Sequence, residues 1–90
     1  MSSEFSREVV IVNELGLHAR SAAKIAGLAQ NSKAAVWVQR DAEKADASSI
    51  VDILTLACEK GSKITLIIED QADRPILENI VNLIETGFGE

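Results

Sequence analysis

Residues 5–29, FSREVVIVNELGLHARSAAKIAGLA, change hydrophobic rhythm once, and that change decides the fold. Over residues 5–12 the pattern is that of a strand. Val9 and Ile11 face a core, while Val10 and Val12 blur the alternation. Residues 13–17 form a short loop with Gly16 as its flexible point. A helix begins just after His18. Its Ala22, Ile25, Ala26 and Ala29 stand at i, i+3, i+4 and i+7, a core-facing stripe, and Arg20 and Lys24 lie on another face.

The same reading extends along the chain. Residues 34–40 form a strand with Val36 and Val38 on one side and Trp37 on the other. Asp41-Ala42 is a weak turn, and residues 43–47 are a short returning strand. Ser48 or Ser49 caps a short helix that runs to about Thr55. After a Lys60-Gly61-Ser62 turn, residues 63–69 form a strand rich in Ile, Thr and Leu. The last helix is signalled by Asp73 as cap and Pro75 in the first turn. Ile76, Ile80, Leu83 and Ile84 supply its apolar stripe, and Gly87 ends it. Strands and helices mix in the order βαββαβα. This predicts an α+β fold: an open-faced two-layer sandwich whose helices cover one face of a mainly antiparallel, four-stranded sheet. With no linker, repeat or low-complexity segment, residues 1–90 are expected to form a single domain.

Composition narrows the function. A 90-residue chain buries a modest core worth about 5 kcal/mol of net stability and leaves no room for a large substrate pocket. Hydrophobic residues make up 47% but aromatics only 3%, so Ile, Leu, Val and Ala must build that core. Such a chain works through its surface. The net charge of −5 and pI near 4.8 argue against a nucleic-acid partner, which needs a clustered basic face, and against an anionic membrane surface. The apolar runs are strand-length, so none spans a bilayer, and residues 1–8 lack the apolar stretch of a signal peptide. Cys58 is the single cysteine and cannot form an internal disulfide. These features suit a reducing cytoplasm.

The chemistry concentrates in Gly16-Leu17-His18-Ala19-Arg20. First-turn N–H groups have no intrahelical partner and form an anion site that the helix dipole reinforces. Arg20 adds a permanent cation with a planar fork suited to phosphate oxygens. A positive environment favours the neutral imidazole, and a neutral ring nitrogen is a nucleophile. On spacing alone, a lone histidine in a short domain reads as a cap or a surface residue. With no second His or Cys ligand at hand, a metal site is not expected. Neither carboxylate spacing nor a glycine-rich loop points to acid–base catalysis or nucleotide binding.

Those five residues resemble the active-site motif of the histidine-containing phosphocarrier (HPr) family of the phosphoenolpyruvate-dependent phosphotransferase system, and the likeness covers almost the whole chain. A second family motif, a regulatory serine opening a short helix, is matched by residues 49–56, SIVDILTL, at the family's distance from the histidine with no gap. The ending Glu85-Thr86-Gly87-Phe88-Gly89-Glu90 is similar to the longer C-termini of some proteobacterial members, including the nitrogen-related branch. The resemblance implies that His18 is phosphorylated at Nδ1 by enzyme I, which draws on phosphoenolpyruvate, and that the phosphoryl group passes to a histidine on a IIA protein or domain. Arg20 would assist. The chain would be substrate and donor in a relay rather than an enzyme, without a cofactor, and a carrier that docks on several partners is best served as a monomer. The resemblance also implies phosphorylation of Ser49 by an HPr kinase/phosphorylase and an apolar docking patch made by Ile50, Val51 and Leu54, joined by Ala23. Plain reading of the residues makes Ser49 a helix cap and puts Ile53 and Leu56 in the core.

Two departures stand out. Ser21 occupies the place of the family's proline, restoring an N–H and a hydroxyl, an extra donor close to a phosphoryl group. Gly27 and Gln30 stand where members often carry a basic residue, which weakens docking onto a strongly acidic partner. The expected function is therefore a sugar-system phosphocarrier. The alternatives are a nitrogen-branch regulatory carrier, a non-transport interaction module, or a small ligand-binding regulatory domain. Trp37 reads as a sheet residue and Cys58 as structural.

Overall fold

The computed structural model describes residues 5–90. Strand β1 is Ser6–Val10 and helix α1 is Ala19–Ala29. Strands β2 (Val36–Arg40) and β3 (Glu43–Asp46) follow, then helix α2 (Ile50–Thr55), strand β4 (Lys63–Ile68) and helix α3 (Arg74–Glu85). The sheet runs β1-β4-β2-β3 with every neighbouring pair antiparallel. Register explains the two faces: Val38 lies opposite Leu66 and Ala45, and Val36 opposite Ile68, all buried beneath the helices. Helix α3 packs on β1 and β4, α2 packs against β3, and α1 contacts both helices. Trp37 falls on the uncovered face, where its Nε1–H donates to Glu69 at 2.7 Å and the Lys44 ammonium stands 4.5 Å over the ring. The α+β open-faced sandwich is thus the observed fold. No helix among the described residues is long and apolar enough to cross a membrane.

The strands are shorter than the sequence pattern suggests, for local reasons. Beyond Val10, Ile11 stays buried and exchanges backbone bonds with the Gly61–Ser62 turn instead of with β4. At β2, the Ala34 N–H is taken by a side chain, that of Asp73. Asp73 was expected to cap α3, but its carboxylate makes no cap bond. A 3-10 turn, Gln71–Asp73, precedes the helix and is capped by Asp70 accepting from the Ala72 N–H at 2.8 Å. That frees Asp73, only 2% exposed, to accept from the N–H groups of Lys33 and Ala34 at 2.9 and 3.0 Å. It thereby clasps the lead-in to β2 against the start of α3. The α3 stripe is also turned, by less than one residue's rotation about the axis. Leu77, Ile80, Val81 and Ile84 are buried, while Ile76 and Leu83 flank them partly covered.

The start of α1 depends on two residues. Gly16 has φ +64, and a Cβ there would lie 2.5 Å from the Cys58 carbonyl oxygen and 2.7 Å from the Glu59 Cα. Only glycine lets this loop lie on the loop after α2, where the Leu17 N–H donates to the Cys58 oxygen at 2.9 Å. Ser21 is fully buried. Its Oγ accepts from the His18 N–H at 3.0 Å and donates to the Gly16 carbonyl at 3.1 Å, half of a capping box around His18. The expectation that the serine adds a hydroxyl donor beside a phosphoryl group is corrected: the hydroxyl turns back into the loop. At the far end of α2, Arg40 Nη1 donates to the carbonyls of Leu56 and Ala57, both at 2.8 Å, closing that helix.

Two stability outcomes follow. Ser21→Ala should cost about 1–2 kcal/mol, lowering the thermal midpoint by roughly 5–10 °C. Asp73→Ala should cost about 3 kcal/mol, with Asp73→Asn, which keeps one acceptor oxygen, losing about half as much in urea unfolding.

Candidate functional site

His18 is the N-cap of α1, held in extended backbone conformation, with its side chain 26% exposed. Both ring nitrogens have partners, and the partners assign the proton. Nδ1 faces the Arg20 backbone N–H at 3.3 Å, a group that can only donate, so Nδ1 carries a lone pair. Nε2 lies 2.7 Å from the Glu90 carboxylate, which can only accept, so Nε2 carries the hydrogen. The neutral ring therefore points its unprotonated nitrogen at the α1 N-terminus, where first-turn amides and the helix dipole favour negative charge. The Arg20 guanidinium is well exposed, and its Nη2 comes within 3.5 Å of Glu90 Oε2.

Glu90 arrives from the other end of the chain. After α3, Gly87, Phe88 and Gly89 all adopt positive φ, which turns the backbone back on itself in a tight left-handed turn. Phe88 is buried in the core, and its carbonyl accepts from Lys24 Nζ at 2.7 Å, so the turn is pinned to α1. Glu90 Oε1 accepts from Asn13 Nδ2 at 3.0 Å, and that amide also donates to the Gly16 carbonyl at 2.8 Å. The reverse amide orientation would set an oxygen against two acceptors, so this one is imposed. The Asn13 amide, with lesser help from His18 and Arg20, holds the Glu90 carboxyl below the usual carboxylate range despite the opposing effect of desolvation.

Of the residues predicted from sequence, His18 and Arg20 meet. Ser49 lies elsewhere: Gln30, after the last turn of α1, donates to the Ser48 carbonyl at 3.3 Å. That places the α2 cap roughly 16 Å along the 11-residue α1 from His18. Of the two candidate capping serines, Ser49 holds the position: its Oγ accepts from the Asp52 N–H at 3.2 Å, while the Ser48 hydroxyl is bound to Asp46. Ala23, Ile50, Val51 and Leu54 are exposed, Val51 most of all at 72%, whereas Ile53 and Leu56 are buried. Leu15, three residues before His18, is exposed as well. Burial pushes the Cys58 thiol up from its ordinary value, in keeping with a structural cysteine. Among the described residues, no cluster of His, Cys, Asp and Glu could hold a metal ion.

Asn13, Lys24 and Glu90 were not singled out from sequence. Gly-Phe-Gly signals a tight turn around an aromatic residue that wants burial, but nothing local says that the next side chain returns to His18.

Comparison with known proteins converges on one family. The family model for the PTS HPr component phosphorylation site matches residues 5–86. The phosphocarrier protein HPr of Cupriavidus necator is 37% identical over 84 residues, covering 93% of this chain and 94% of that protein. The phosphocarrier protein NPr of Shewanella violacea is 36% identical over 88 residues, covering 98% and 97%. Among solved structures, HPr from Thermoanaerobacter tengcongensis superposes with a TM-score of 0.85 at 34% identity, covering 94% of this chain and 96% of that one. These relatives are phosphocarriers that serve phosphotransferase components and are not themselves enzymes. A histidine at a helix N-terminus, an adjacent arginine and a βαββαβα sandwich, matched along nearly the whole length, place the chain in the HPr family of phosphocarrier proteins.

Proposed function

We propose that His18 accepts a phosphoryl group on Nδ1 from enzyme I, charged by phosphoenolpyruvate, and donates it to a histidine on a IIA protein. The observation that carries this reading is the orientation of the ring: the lone pair on Nδ1 points at the α1 N-terminus with Arg20 two residues on. In the transfer, the Nδ1 lone pair attacks phosphorus in line with the departing donor nitrogen. The Arg20 N–H, which faces Nδ1 before transfer, then meets a phosphoryl oxygen, and the helix dipole and guanidinium offset the new charge. Arg20 has most of its side chain exposed and is free to turn toward the phosphate.

The exposed apolar residues Ile50, Val51 and Leu54, with Ala23, form the surface on which partners dock. Phosphorylation of Ser49 by an HPr kinase/phosphorylase would add charge at the edge of that surface, beside Asp52, and weaken docking. The protein works as a monomer in the cytoplasm.

A second reading places the carrier in the nitrogen-related branch. The similarity to an NPr over nearly the full length of both chains favours it, as does the lack of a basic residue at Gly27 and Gln30. Parallel transfer assays with sugar-type and nitrogen-type enzyme I and IIA pairs distinguish the branches by rate.

Incubation with enzyme I and phosphoenolpyruvate should add one acid-labile phosphate, seen by intact mass and phosphorus NMR, and His18→Ala should take up none. Uptake by His18→Ala equal to wild type would refute His18 as the acceptor. Val51→Asp and Ser49→Asp should each raise the KM for enzyme I roughly tenfold with little change in thermal midpoint, because neither side chain is in the core. Unchanged KM values in both would remove α2 from the docking surface.

A further inference from the structure

We infer that the cleft at the carboxyl end of α1 receives a lysine side chain of the enzyme I that docks on α2. The inference deepens the docking reading and rests on it. The cleft has a volume of about 250 Å³ and lies between the end of α1, the lead-in to β2 and the last residue of β3. Its floor is apolar: Ala29 and Val36 are buried, and Ala34 and Ala35 are half-buried. Asp46 is the one charged side chain on its wall. The cleft adjoins the docking surface. Ser48, on the same wall, leads into the Ser49 cap of α2, and Gln30 ties the two helices there by donating to the Ser48 carbonyl at 3.3 Å.

The polarity of the wall selects a cation. Asp46 Oδ1 accepts from the N–H and the hydroxyl of Ser48 at 2.8 and 2.7 Å, while among the described residues Oδ2 accepts no hydrogen bond. The donors on the wall are already engaged: the Ser32 hydroxyl with the Ala34 carbonyl at 2.6 Å, and the Gln30 amide with Ser48. The last turn of α1 holds no basic residue, so the negative end of its dipole opens onto the same space uncompensated. Asp52 adds to the negative sign, its Oδ2 accepting from the Asp46 N–H at 3.3 Å. Of the cations nearby along the chain, Lys44 stands over the Trp37 ring and Lys33 is exposed, and among the described residues neither forms an ion pair with Asp46. A lysine matches this space better than an arginine. Its methylene stem covers the alanine floor, and its compact ammonium meets a single carboxylate oxygen where a planar fork would find no second one.

Transfer from phosphorylated enzyme I to the full chain supplies the test, measured against carrier concentration for wild type, Asp46→Asn and Gln30→Lys. Asp46→Asn keeps an acceptor oxygen for Ser48 and removes the charge. It should raise KM roughly fivefold with kcat and thermal midpoint unchanged, because the cleft lies at the far end of α1 from His18. In about 0.5 M NaCl its KM and that of wild type should converge, which a merely structural role of Asp46 would not produce. Gln30→Lys sets this chain's own cation in the cleft and should raise KM as well. A partner that presents an acidic side chain here would bind Gln30→Lys more tightly, so the two possibilities move KM in opposite directions. A KM that is unchanged or lowered in either variant overturns the inference. If Val51→Asp still raises KM in that case, α2 stays the docking surface and only the cleft is lost. Unchanged KM in all three variants overturns the docking reading together with this inference.

Discussion

The site rests on a contact between two backbones. The Leu17 N–H reaches the Cys58 carbonyl at 2.9 Å because residue 16 has no Cβ to keep the two loops apart. From that contact the geometry follows in order. Leu17 is buried, His18 is set in extended conformation as the α1 cap, and Ser21 closes the cap from beneath. The ring is then delivered to the helix N-terminus with one nitrogen facing amide hydrogens. The α2–β4 connection that receives the loop also follows the exposed apolar turn of α2. His18 and the exposed apolar turn of α2 are therefore held in fixed relation by backbone, and that relation does not depend on flexible side chains.

The electrostatics are local. The chain carries a net charge of −5, yet the α1 N-terminus gathers amide hydrogens, Arg20 and Lys24 around a single anion, Glu90. Among the described residues, the pairs of Arg7 with Glu78 and Lys60 with Glu14 are exposed, and pairs of that kind contribute at most about 1 kcal/mol each. A small domain with few aromatics leaves its stability to aliphatic packing and backbone clasps, Asp73 among them.

Much of this was legible in periodicity. The stripe Ala22, Ile25, Ala26 and Ala29 is wholly buried, and Val36 and Val38 are parted from Trp37 by the sheet as alternation demands. Local pattern also located the start of α1 and put Ile53 and Leu56 in the core, whereas the exposed Ile50, Val51 and Leu54 were pointed out by the family resemblance. Legibility ended where a side chain answers to distant backbone. Asp73 has the composition of a helix cap but binds N–H groups 39 and 40 residues away. Glu90 meets His18 across 72 residues, and only the β1-β4-β2-β3 order and the turn around Phe88 bring them together. Ser21 occupied the anticipated position with its hydroxyl facing the other way, because the Gly16 carbonyl and the His18 N–H lie beneath it.

The uncovered face of the sheet gives the protein its own reporter. Trp37 is the single tryptophan, and it sits mid-sheet, opposite Ile67 on one side and Asp46 on the other. The helices and the His18 site lie on the opposite face. Indole emission therefore follows the integrity of three strands while staying insensitive to what binds over the helices. Lys44 above the ring and Glu69 at its nitrogen give that emission an environment that vanishes when β2 separates from β3 and β4. Unfolding can therefore be followed by this emission without interference from anything bound over the helices.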